Sequence, residues 1–218
     1  MSATEQDAAD AAAWYGARLG WPAAPGPGGP GSGGPGPGPG RPRLATGVRF
    51  DVLEVPAAAG DEVLGRLPGP AAGPVVRHGA RMRLLVAPGA AEELPGLLDW
   101  LEWGGVALDL VALGRGGSMP VPALPGAARG PGEPFWVRPP LARRGGEGDG
   151  DRPVPLPALA GPPGCPGHPG PARACGTGGG APDLVRLVAA LATACHRVRL
   201  FPPPGRRTAR NRQAWAFS

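Results

Sequence analysis

Two carboxylates, Asp51 and Glu54, stand inside the most apolar β-patterned stretch of the chain, LATGVRFDVLEVPAAAG over residues 44–60. A strand covered on both faces has no structural use for an acid, because an unpaired charge out of water is costly or neutralises itself. Acids near the end of such a strand suit a hard cation, which takes oxygen ligands, or a phosphate site built around one. Further along, Arg81 and Arg83 alternate in RMRLLVA, just after the turn that holds His78. Guanidinium groups bind phosphate through paired hydrogen bonds, although a solvated surface pair would look the same in sequence. The run GRGGS over residues 114–118, with Arg115, could bring backbone N–H groups to a phosphate, or be a plain hairpin turn. Asp51 has a plainer role open to it, as a salt-bridge or strand-edge residue.

These groups need elements to position them. Alternation in a strand over residues 48–55 puts Phe50, Val52 and Glu54 on one face and Asp51, Leu53 and Val55 on the other. Both faces are mainly apolar, as in a central strand of a covered sheet. Further strands are expected over residues 81–87, 106–113 (carrying Asp109) and 119–124, with a short edge strand at Phe135, Trp136 and Val137. Helices are expected over residues 5–19, 61–67 and 183–197. Another is built on Leu94, Leu97, Leu98 and Leu101, with Pro95 starting or kinking it. Trp100 and Trp103 read as core or helix-face residues.

Composition sets the frame. The 218 residues allow one ordinary domain, but 40 Gly and 33 Pro are a level at which low-complexity stretches are expected. Residues 25–40 hold only Pro, Gly and one Ser, which can bury nothing. The organisation expected is an N-terminal helix within residues 1–24, a Gly/Pro linker over 25–43 and a core over 44–140. A Gly/Pro-rich loop over 141–181, a helix within 182–201 and a basic tail over 202–218 follow.

All 22 basic residues are Arg, and the net charge is +5, which favours an anionic partner without locating a site. Three cysteines argue against a secreted disulfide scaffold. The acidic start MSATEQDAADAAAW lacks the pattern of a signal peptide, and no run is long enough to span a bilayer, so a cytoplasmic protein without membrane contact is expected. Cys165, His168 and Cys175, with Cys195 and His196 as completions, make a weak zinc pattern on a Pro/Gly background. The tail residues Arg206, Arg207, Arg210 and Arg212, with Trp215 and Phe217, could grip a phosphate backbone and stack bases, or be solvated.

The order of segments resembles the N-terminal primase–polymerase domain of bifunctional DNA primase/polymerases, of actinobacterial type, within the archaeo-eukaryotic primase superfamily. The resemblance runs from AAAWYGARLGWPAAPG through ATGVRFDVLEVPAAAG, RMRLLVAPGAAEELPGLLDWL and LDLVALGRGGSMPVPAL to PFWVRPP and LVAALATACHR. It implies an α+β fold: a mixed sheet with packed helices and long Gly/Pro-rich disordered inserts.

The resemblance also implies nucleotidyl transfer from nucleoside triphosphates on a DNA template, with Mg²⁺ or Mn²⁺ clamping the attacking and leaving oxygens. Glu54 falls on the first acid of the family's strand pair, Pro56 where the second acid belongs, and Asp109 on the third acid. Glu54 and Asp109 are thus the candidate catalytic and metal-holding acids, with Asp51 a further candidate metal ligand. Arg81, Arg83, His78 and Arg115 are the candidate nucleotide or DNA contacts. The family's motif His belongs near residues 81–83, where Met82 is central and His78 lies a few residues early. DNA and nucleoside triphosphates are the expected partners, with a helicase left open and no phosphate loop of the helicase type in this chain. A catalytically inactive relative that binds nucleic acid or nucleotide is the alternative, and a Pro-rich interaction module is a third reading.

Overall fold

The computed structural model describes residues 3–25, 41–67, 69–127, 130, 132–140, 155–159 and 183–201. Among these residues, four α-helices accompany two antiparallel sheets, an α+β arrangement. The larger sheet has strand order β5-β2-β4-β3-β7, built from β2 (Asp51–Pro56), β3 (Val75–His78), β4 (Arg81–Val86), β5 (Val111–Leu113) and β7 (Phe135–Arg138). The smaller pairs β1 (Arg43–Ala45) with β6 (Ser118–Pro120). Every ladder is antiparallel, so the sheet differs from the mixed one expected. The reason is β3, which forms a hairpin with β4 through Gly79, at φ 56°, and Ala80. A parallel bridge occurs only at an isolated pair, Ala158 and Asp183, among the described residues.

Alternation along the strands divides the core in two. Leu53, Val55, Val75, Met82, Leu84 and Val86 face α2 (Ala57–Arg66), α3 (Ala90–Trp100) and α4 (Leu184–Leu200). Gly60 allows α2 this approach, since a Cβ there would collide with the Met82 side chain. Asp183 caps α4 by accepting the Val185 N–H at 2.9 Å, as its position before the leucine stripe implies. On the other face, Phe50, Val52, Val76 and Leu85 meet α1 (Ala3–Leu19), the turn after it and the β1–β6 pair through Ala11, Tyr15, Trp21, Leu44 and Met119. Tyr15 anchors this side: its hydroxyl accepts the Trp136 Nε1–H at 2.6 Å and donates to the Ala123 carbonyl at 3.2 Å.

Several boundaries move. The helix expected over 61–67 starts at Ala57, because three alanines directly after Pro56 are good helix formers. The Leu94–Leu101 helix begins at Ala90 and runs through Pro95, which is exposed within it. The strand expected over 106–113 shrinks to Val111–Leu113, leaving Asp109 in the preceding loop. The β2–β5 register, with Glu54 opposite Val111, would set Asp109 opposite Pro56. Pro56 has no N–H to donate, so the ladder stops short. The strand expected over 119–124 is Ser118–Pro120, and that over 48–55 is Asp51–Pro56. The bulk of the 25–43 and 141–181 segments and the whole 202–218 tail lie outside the described residues. Among the described residues, no helix is long and apolar enough to cross a membrane.

Candidate functional site

The α1-side face of the sheet is apolar under Tyr15 and Trp21 but charged toward the Pro56 end of β2. Period-2 alternation puts Glu54 beside Val52, and Arg81 and Arg83 in line with Leu85, on this one face. The register sets Arg83 opposite Glu54 and Arg81 opposite both Pro56 and His78. Asp109 enters from the loop before β5.

The four charges form a continuous chain. Arg81 Nε donates to Glu54 Oε1 at 3.0 Å, while Arg81 Nη1 donates to the two Asp109 oxygens at 2.7 and 2.8 Å. Arg83 Nη2 pairs with Glu54 Oε2 at 2.6 Å, and its Nη1 meets His78 Nδ1 at 3.4 Å. Arg83 is the most enclosed, with 11% of its side chain exposed, whereas Asp109 is 52% exposed. Burial alone would lower the Arg81 pKa, but the hydrogen bonds to Asp109 and Glu54, and their charges, raise it above its ordinary value.

His78 responds in the opposite sense. Burial, then the charges of Arg83 and Arg41, hold its pKa below the ordinary 6.5. A guanidinium only donates, so Nδ1 of a neutral His78 accepts and its proton sits on Nε2.

Asp51 does not join this group. It is fully buried on the opposite face, where its Oδ2 accepts the N–H groups of Gly89 and Ala91 at 2.8 and 2.9 Å. Gly89 occupies the N-cap position of α3 without a side chain, so Asp51 supplies the cap from a strand 38 residues earlier. Oδ1 has no partner of its own, the nearby Gly47 N–H being engaged by the Phe50 carbonyl. Burial pushes the Asp51 pKa up, against the pull of the backbone N–H groups.

Arg115 is also apart. It is exposed beyond the far end of β5 from Asp109, in a turn closed by Gly117 N–H to the Gly114 carbonyl and by Thr46 Oγ1 to the same oxygen at 2.6 Å.

The structure adds two arginines that the sequence reading assigned to a linker. Arg41 pairs with Glu133 at 2.8 Å, and Arg43 donates to Ser118 Oγ and to the Ser118 carbonyl at 2.8 and 2.7 Å. Their only sequence signal is alternation in RPRL directly before Ala45, hidden by the Pro/Gly run upstream.

Fit to Mg²⁺ or Mn²⁺ can be judged from the donors. Both converging carboxylates, Glu54 and Asp109, are held by the Arg81 guanidinium, and Asp51 faces away. Among the described residues, no group of three or more His, Cys, Asp or Glu side chains could hold an ion. The donor set does not fit a resident metal pair.

Of the zinc pattern, Cys165, His168 and Cys175 lie outside the described residues, as do the tail arginines, Trp215 and Phe217. Cys195 is buried in α4, its thiol donating to the Asp109 carbonyl at 3.6 Å with its pKa pushed up to about 12 by burial. His196 packs its ring against Trp103, with centroids 5.5 Å apart, and Trp100 is exposed at the end of α3.

No protein-family model matches the chain, and no curated protein or solved structure matches it.

Proposed function

We propose that this chain is a DNA primase/polymerase-type domain, of nucleotidyltransferase kinship, whose charged sheet face binds the phosphates of nucleoside triphosphates or DNA. The observation that carries the reading is the Arg81 bridge between Glu54 and Asp109. Acids from two separate segments meet at one place, as the family resemblance implies, but a guanidinium fills the position of a shared cation. Binding, rather than metal-dependent transfer, is the activity this arrangement supports. Arg83, partly neutralised by Glu54, and the neighbouring Arg43 and Arg41 leave the face with more positive than negative groups. Phosphates are the ligands that such a face attracts.

Binding of a fluorescent oligonucleotide and of a nucleoside triphosphate should weaken steeply as salt rises, since phosphate contacts release counterions. Arg83→Gln should weaken both. Salt-independent binding, or none, would remove the reading.

A second reading, nucleotidyl transfer itself, draws on the same convergence of Glu54 and Asp109. It requires Arg81 to leave the acids so that Mg²⁺ or Mn²⁺ can be held. Primer extension in Mn²⁺ decides between the two. Extension by the native chain that is lost in both Glu54→Ala and Asp109→Ala would establish transfer, whereas equal residual signals in all three would confine the domain to binding.

A further inference from the structure

Between the β1–β6 pair and the end of β3 lies a cavity of about 170 Å³ that the Glu54–Arg81–Asp109 bridge does not line. Its polar lining is Arg41, Arg43 and His78, and the remainder is apolar, including Ala8, Val121 and Pro134. Arg41 and Arg43 remain exposed to solvent, so the cavity is open and an anion can reach both guanidiniums.

Those charges are incompletely compensated. Arg41 has Glu133, but Arg43 binds only Ser118 and meets no carboxylate among the described residues. The stretch just upstream, residues 26–40, contains only Pro, Gly and Ser and so brings no acid. Burial and the charge of Arg83 both lower the Arg43 pKa, as expected for a cation short of a counter-charge, with Glu54 giving partial relief.

We propose that this cavity is an anion site that takes a single phosphate group, free or at the end of a nucleotide. It rests on the phosphate-binding reading of the sheet face and gives Arg41 and Arg43, which border that face, a phosphate contact of their own. Two guanidiniums on the lining carry N–H donors of the kind that bind phosphate oxygens, and the His78 ring lies beside them. The lining contains no Phe, Tyr or Trp side chain, so the site is better suited to a phosphate group than to a base.

His78 supplies the reporter. Its ring is kept neutral by burial and by Arg83 and Arg41, with Glu54 and the Gly132 backbone acting in the opposite sense. An anion in the cavity offsets those arginines and favours ring protonation.

The test is an NMR titration of the His78 ring signals in the full chain with inorganic phosphate, against chloride at equal ionic strength. A saturable shift with a raised His78 pKa is expected, weakened about tenfold or more by Arg43→Gln, in line with losing a charged hydrogen-bond donor. Arg41→Gln gives an independent answer should Arg43→Gln fail to fold. Arg66→Gln, on α2 and away from the cavity, should leave the titration unchanged. An equal effect of chloride, an equal loss in Arg66→Gln, or no loss in the Arg41 and Arg43 variants would overturn the site.

Competition then identifies the source of the phosphate. A nucleoside triphosphate, and oligonucleotides ending in phosphate or in hydroxyl, are added in turn, and whichever displaces inorganic phosphate is the carrier. If none does, free phosphate is the ligand. The two proposals fail separately. A flat phosphate titration alongside DNA binding that depends on Arg83 removes the cavity site alone. Phosphate binding without DNA or nucleotide binding removes the sheet-face reading alone.

Discussion

Asp51 and Glu54 stand three residues apart on one strand, yet the two sheet faces they enter handle a carboxylate in opposite ways. The helix-covered face is dry, and Asp51 is tolerated there because α3 begins against it with two backbone N–H groups. The α1-side face is dry only under Tyr15 and Trp21. Beyond that aromatic cover, Glu54 is held by two arginines that also reach Asp109 and His78. One acid organises the fold, while the other organises charge. An acid's sequence neighbours do not tell these roles apart; which face it enters, and what packs there, does.

The contrast predicts unequal losses on substitution. The largest belongs to the apolar lining of the dry face: Leu84→Ala, at a fully buried position, should cost about 2–5 kcal/mol in denaturant melts, because the three helices around it cannot collapse into the gap. A cost below about 1 kcal/mol would mean that this face is loosely packed.

Asp51 sharpens the comparison further. Asp51→Ala removes the cap of α3 and should cost about 2–3 kcal/mol, the scale of hydrogen bonds to a buried charged group. Asp51→Asn keeps an oxygen for the Gly89 and Ala91 N–H groups and removes the buried charge, so it should cost much less. The Asp51 pKa is raised in the fold from its ordinary 3.8. Between that value and the higher folded one, the native state holds more protons than the unfolded chain, so this group's contribution falls as pH rises through that window. Asp51→Asn should abolish that part of the pH profile. If Asn and Ala behave alike, the cap is not what holds α3.

Glu54→Ala should do less to stability, about 1–2 kcal/mol, since Arg81 keeps Asp109 and only the enclosed Arg83 loses its carboxylate. Its larger consequence is for binding. With Glu54 gone, Arg81 and Arg83 lose a competitor for phosphate, so DNA affinity at low salt should rise rather than fall. A fall would show that Glu54 itself contacts the ligand, as the transfer reading requires.

Much of this contrast was legible in the chain, and the parts that were not have physical causes. Period-2 alternation alone separates Asp51 from Glu54, and the leucine stripe after Asp183 marks α4 and its cap. Register is different. That Arg83 faces Glu54, and that Arg81 reaches both acids, depends on β4 running antiparallel to β2, which the β3–β4 hairpin brings about by reversing the chain. At four residues, with Pro74 before it and Gly79 after, β3 resembles a loop in sequence. The Asp51 cap was hidden because its partner is a backbone N–H pair far along the chain, with no side-chain signature. Arg41 and Arg43 were hidden by the low-complexity run beside them.

His78 should give the smallest effect and the most direct probe of the charged face. Its pKa in the fold is below the ordinary 6.5, so between the folded value and 6.5 the unfolded chain binds more protons than the native one. Stability therefore rises with pH through that window and levels off above it, by no more than about 1 kcal/mol for a partly solvated group. His78→Gln should flatten this rise while leaving the Asp51 window untouched. Adding phosphate to the native chain should flatten it too, because an anion beside Arg41 and Arg43 removes the repulsion that depresses the ring. If phosphate leaves the rise unchanged while His78→Gln abolishes it, no anion is held beside Arg41 and Arg43, and the cavity site is lost.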